Sequence, residues 1–86
     1  MSLFNENVLP GETGKIFRTN AEEPAELRKI AENVLKVDGV HDVGINTETY
    51  PVEFTIHADD FSIVPIEDIE QAALDCGFHL IPKSRL

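Results

Sequence analysis

Residues 23–46 constrain this chain more than any other stretch. They read as one amphipathic helix, a turn at Asp38-Gly39 and a short strand. Pro24 opens the helix, because a proline's missing N–H falls where a helical N–H has no partner anyway. Leu27, Ile30, Val34 and Val37 then recur at helical spacing, with Ala31 and Leu35 beside them. Arg28, Lys29, Glu32, Asn33 and Lys36 fill the other face. Gly39 ends the run by taking a backbone conformation that other residues avoid. A helix striped in this way has to lie on an apolar surface, so the rest of the chain must supply one.

The remainder supplies it as strand, helix, strand. Val52, Phe54 and Ile56 alternate with Glu53, Thr55 and His57, which predicts a strand over 50–58 with one buried and one wet face. Pro51 is tolerated near its start. Before it, residues 40–45 form strand two, with Val43 and Ile45 on one face, and residues 46–49 form a hairpin loop. Pro65 opens a second helix, with Glu67 and Asp68 near its positive pole. Ile66, Ile69, Ala72, Ala73 and Cys76 are its apolar stripe, and Gly77 is its stop signal. Residues 78–81 make a last strand, ended by Pro82. Strand one is residues 15–19, and its pleat stays open: either Ile16 and Arg18 face inward, or Phe17 and Thr19 do. With right-handed crossovers the order β-α-β-β-α-β predicts an α+β, ferredoxin-like fold: a four-stranded antiparallel sheet with two helices on one face.

The length of 86 residues allows one core, placed over 14–82. Residues 1–13 read as a flexible leader, in which Leu3, Phe4, Val8 and Leu9 are apolar enough to lie against the domain, and 83–86 as a tail. The net charge of −9 argues against nucleic acid, whose phosphates need clustered Lys and Arg, and against an anionic membrane surface. It favours a protein partner with a basic face, or a metal cation. A single cysteine excludes an internal disulfide and a multi-thiolate metal site within one chain. No signal peptide or membrane-length apolar run stands out, which makes cytoplasm the default location and membrane insertion unexpected.

Three pieces of this pattern resemble the heavy-metal-associated domain of small copper chaperones and metal-pumping ATPases. They are Gly39-Val40 followed by Val43 and Ile45; the Val52, Phe54, Ile56 strand; and Pro65 through Ala72-Ala73 to Gly77-Phe78. The resemblance covers residues 15–82. It implies a Met-x-Cys-x-x-Cys metal loop before helix one, and counting back from Gly39 places that loop on residues 21–26. Ala21 stands at the methionine position, and Glu23 and Glu26 at the two cysteine positions. Monovalent copper prefers sulfur to carboxylate oxygen, so the family's copper carriage does not transfer, whereas its fold does.

Glu23 and Glu26 have two readings. Spaced three apart around Pro24, they suit a capping box at the start of helix one. Alternatively, topology brings the exit of helix two to the same end of the sheet, so Glu23, Glu26, Cys76 and His79 would form a carboxylate, thiolate and imidazole site for a divalent, zinc-like metal. Against this second reading, Cys76 sits on an apolar stripe, and His79, following Phe78, would point to the open sheet face. His41 and His57, near Asp42, Asp59 and Asp60, mark the opposite end as a cation patch or a solvated acidic edge. No nucleophile–base set, phosphate loop or EF-hand loop is present in the sequence pattern, so an enzyme is not expected. The expected function is a protein-docking module with no resident cofactor, acting on a basic partner or by self-association through edge strand two. Divalent-metal binding and a small-ligand regulatory domain are the alternatives.

Overall fold

The computed structural model describes residues 14–59 and 62–83. The expectations for the leader, for Asp60 and for most of the tail lie outside the described residues. Six elements follow in the expected order: β1 (Lys15–Thr19), α1 (Pro24–Leu35), β2 (Val40–Asn46), β3 (Glu53–Ala58), α2 (Ile66–Leu74) and β4 (Leu80–Pro82). The strands make one antiparallel sheet in the order β2-β3-β1-β4. This is the ferredoxin-like α+β arrangement.

The core sits between the sheet and the two helices. Phe17, Phe54, Ile56 and Leu80 from the strands meet Leu27, Ile30 and Val34 of α1 and Ile66, Ile69 and Ala73 of α2. Each fully buried side chain of this size contributes about 1.5–3 kcal/mol relative to exposure. The pleat of β1 is settled: Phe17 and Thr19 are buried, and Ile16 and Arg18 face the other way. Asn33 is not simply on the wet face. It is half-buried, and its Nδ2 donates to the Ala72 carbonyl at 3.2 Å, tying α1 to α2.

Gly39 is required twice over. Its φ is +91°, and a Cβ there would lie 2.7 Å from Val64 Cγ2. Its carbonyl accepts the Asp59 N–H at 2.7 Å, which fixes where β2 starts against the end of β3.

Three sequence expectations are corrected. β3 begins at Glu53, three residues later than the alternation suggested. Pro51 has no N–H for a ladder, the Tyr50–Pro51 peptide is cis, and the Thr49 hydroxyl is engaged with the Asn46 and Pro51 carbonyls. The last strand is Leu80–Pro82, not 78–81. The N–H groups of Gly77 and Phe78 turn back to the Leu74 and Ala73 carbonyls in a Schellman closure, with Gly77 at φ +86°. The His79 N–H goes to Asn20 Oδ1, so neither Phe78 nor His79 has a donor left for the sheet. Glu53 is on the outer face as expected, yet only 9% exposed. Lys83 Nζ lies 3.2 Å and Arg18 Nε 3.5 Å from its Oε2, and these two long side chains cover it. The Arg18 contact is an ion pair only, since Nε makes no hydrogen bond.

Candidate functional site: the mouth at the start of helix one

The sheet brings four chain segments to one end. There β1 runs out into residues 20–23, α1 begins, the β2–β3 loop returns, and α2 exits toward β4. Two hydrogen bonds lock these segments together. The Thr19 N–H donates to the Val52 carbonyl at 3.1 Å, and the His79 N–H donates to Asn20 Oδ1 at 2.9 Å. The loop that follows β1 therefore does lie beside the exit of α2, as the fold predicted.

Within that loop the chain alternates sharply. Ala21 is buried, and its N–H donates to the Thr19 hydroxyl at 3.2 Å. Glu22 and Glu23 are exposed on either side of the turn into α1. Glu23 is the N-cap with extended backbone, and Glu26 Oε1 accepts the Glu23 N–H at 3.3 Å. The two carboxylates are thus placed as a capping box, where they answer free N–H groups and the positive pole of the helix.

The other two residues of the proposed ligand set do not join them in one metal-holding group. Cys76 is half-buried at the seam between the helices, with Sγ 3.7 Å from the Lys29 carbonyl, three residues along α1 from Glu26. His79 is exposed and lies in the loop before β4, so the inference that it points from a strand to the open face falls away. Among the described residues, no three His, Cys, Asp or Glu side chains come together as a group that would hold a metal ion. At the opposite end His41 Nδ1 lies 3.0 Å from Asp59 Oδ1, and Asp42 is paired in register with His57. That juxtaposition forms an acidic edge without a third ligand among the described residues.

What the mouth does contain is a cleft of about 380 Å³. Ala21, Tyr50, Pro51, Val52 and Ile81 give it a largely apolar wall, and Arg18, Asn20, Glu22 and His79 stand around it. Its volume falls in the range of sites that take a small ligand or one anchoring side chain. Tyr50 is 86% exposed beside it, an aromatic ring left in water by a domain this small. Glu22 at the cleft, and Glu23 and Glu48 outside it, are all exposed at this end of the sheet.

Sequence reasoning placed the carboxylates but missed the cleft. Tyr50 and Pro51 read as the first residues of a strand, and nothing in a linear pattern brings them against Ile81 and His79. The one available signal was proline after tyrosine, which marks a turn as readily as a strand start. No helix among the described residues is long and apolar enough to cross a membrane. No protein-family model, no curated protein and no solved structure matches this chain.

Proposed function

We propose that this chain is a docking module on a heavy-metal-associated type of frame, in which Glu23 and Glu26 stand where the metal-gripping thiols would be. In this reading those carboxylates serve the start of α1, and the mouth seats a protein partner with a basic face. The observation that carries it is the apolar cleft walled by the exposed Tyr50 ring; Glu22 and Arg18 stand at its lining, and Glu23 and Glu48 add exposed carboxylates at the same end.

The physical division of labour is simple. One apolar side chain of the partner enters between Tyr50, Val52 and Ile81 and leaves water, which is worth about 1.5–3 kcal/mol for a Leu- or Phe-sized group. Lys or Arg side chains flanking it approach Glu22, Glu23 and Glu48. Those rim charges, backed by a chain charge of −9, speed the encounter and reject acidic surfaces more than they hold the complex. Clasping the loops through Asn20 and Val52 keeps the cleft formed before the partner arrives, which reduces the entropy lost on binding.

The test is a titration followed by backbone amide NMR, using a short peptide with one Leu or Phe between lysines and a glutamate-flanked control. Shifts are expected at Ala21, Val52 and His79 with the basic peptide alone, fading as salt rises. Tyr50→Ala should weaken binding about tenfold without unfolding the chain, since the ring is nearly all in solvent. Shifts confined to another surface, or binding indifferent to Tyr50→Ala and to salt, would remove the mouth as the docking site.

A further inference from the structure

A second surface starts beside the mouth, at Pro24 and Thr47, and runs along the outer side of β2 and α1 to Leu35. β2 is an edge strand of seven residues, and all of them except Val40 and Val43 are exposed. In its pairing with β3, Val43 faces Ile56 and Ile45 faces Phe54, so Val43 and Ile45 lie on the helix-covered side. Asp42, Gly44 and Asn46 lie on the open side, opposite His57, Thr55 and Glu53. Helix α1 packs against β2 but leaves the outer side of their junction open. Between them runs an apolar groove of about 430 Å³, whose walls include Leu27, Arg28, Ala31, Glu32, Leu35 and Ile45. Leu35 is 47% and Ile45 40% exposed, so both offer apolar area that the monomer leaves uncovered.

We propose that this edge and groove are filled by a second copy of the chain, paired β2 to β2 about a two-fold axis at Gly44. The two sheets become one of eight strands, and the α1 helices lie antiparallel above the seam. The groove shares no lining residue with the cleft at the mouth, so this inference does not rest on the one above.

Charge selects the occupant. On a chain of net charge −9 this groove carries one cation and one anion, Arg28 and Glu32, and is locally neutral. A basic partner gains nothing here, whereas a copy of the same surface is self-complementary. A two-fold axis reverses the order along α1, which turns Arg28 of each copy toward Glu32 of the other. Register is limited by the pleat, because a slip of one residue would put Val43 and Ile45 on the wrong face. Two registers about the strand centre keep the faces. Centred on Val43, Ile45 meets His41 of the second copy, where the β2–β3 ladder is already irregular between Val40 and Asp42. Centred on Gly44, Val43 meets Ile45 twice and Asp42 meets Asn46 twice, so apolar pairs with apolar and no like charges are opposed.

The test is sedimentation equilibrium on the full chain over a wide concentration range, at low and high salt. The mass should rise from 9.6 kDa toward twice that value with concentration, and more readily at high salt, where the repulsion between two acidic chains is screened. That salt response is opposite to the one expected at the mouth, so failure of one proposal is distinguishable from failure of the other. Ile45→Lys should weaken association at least tenfold while circular dichroism stays native. Arg28→Glu should weaken it, and Arg28→Glu combined with Glu32→Arg should restore it, which a merely structural role would not do. A chain monomeric at every concentration and salt overturns the proposal. So does a dimer unmoved by Ile45→Lys and by both charge variants.

Discussion

β2 and β4 are the two outer strands of one sheet, and they treat the same hazard in different ways. An outer strand presents unpaired N–H and C=O groups to any extended chain that passes. β4 has three residues, ends in Pro82, and is followed at once by Lys83. Short length, a proline and a lysine are all devices that discourage strand addition. β2 has seven residues, with neither proline nor lysine among them, and Asp42 is its one formal charge. β4 thus carries three such devices, whereas β2 carries only the charge of Asp42 and an irregularity between Val40 and Asp42. The proposed pairing of two copies uses the less guarded of the two edges.

The comparison can be broken most severely from the strand between the edges. Phe54 is fully buried on β3, opposite both Phe17 and Ile45. Phe54→Ala should cost about 3–5 kcal/mol, read by urea unfolding, and should loosen β2 and the rest of the sheet together. A more selective break is Gly39→Ala. It forces a positive φ on a residue with a Cβ and drives that carbon toward Val64, at a cost of about 1–3 kcal/mol. Amide exchange should then accelerate along β2 while β4 keeps its protection; equal acceleration in both would deny that Gly39 seats the β2 edge alone. On the β4 side, Lys83→Ala removes one of the two cations over Glu53 and should cost no more than about 1 kcal/mol, with the oligomeric state unchanged. The smallest effect has the opposite sign. Gly44 has an ordinary φ, and an added Cβ would meet nothing closer than the Thr55 carbonyl at 3.9 Å. Gly44→Ala should therefore stabilise the monomer by about 0.5 kcal/mol in the same unfolding assay, by reducing the freedom of the unfolded chain.

The frame of this domain was legible because its punctuation is local. Pro24, Gly39, Pro65 and Gly77 act on their own backbone, and the apolar spacing between them acts on one helix at a time. The start of α1 was equally legible, since Glu23 and Glu26 meet three residues apart. Errors arose wherever a backbone donor was used by a distant residue. The His79 N–H goes to Asn20, 59 positions away, and a strand read through Phe78 and His79 has no means of showing that. Glu53 illustrates the same limit in a side chain: alternation set it outward correctly, but its cover comes from Arg18 on another strand and Lys83 beyond β4. The cleft at the mouth is the extreme case, because residues 18–22, 50–52, 79 and 81 become neighbours only after the sheet has formed. The proposed metal set shared the right end of the molecule, but not one coordination sphere.

Cys76 carries the chain's one thiol, and it sits against the Lys29 carbonyl where the two helices touch. That position makes it a built-in clock. The sulfur is half-buried, so an alkylating reagent reaches it slowly in the closed layer and faster when the helices part, and the labelling rate rises as the helical layer opens. A bound molecule that steadies this layer would slow the clock, whichever surface it occupies.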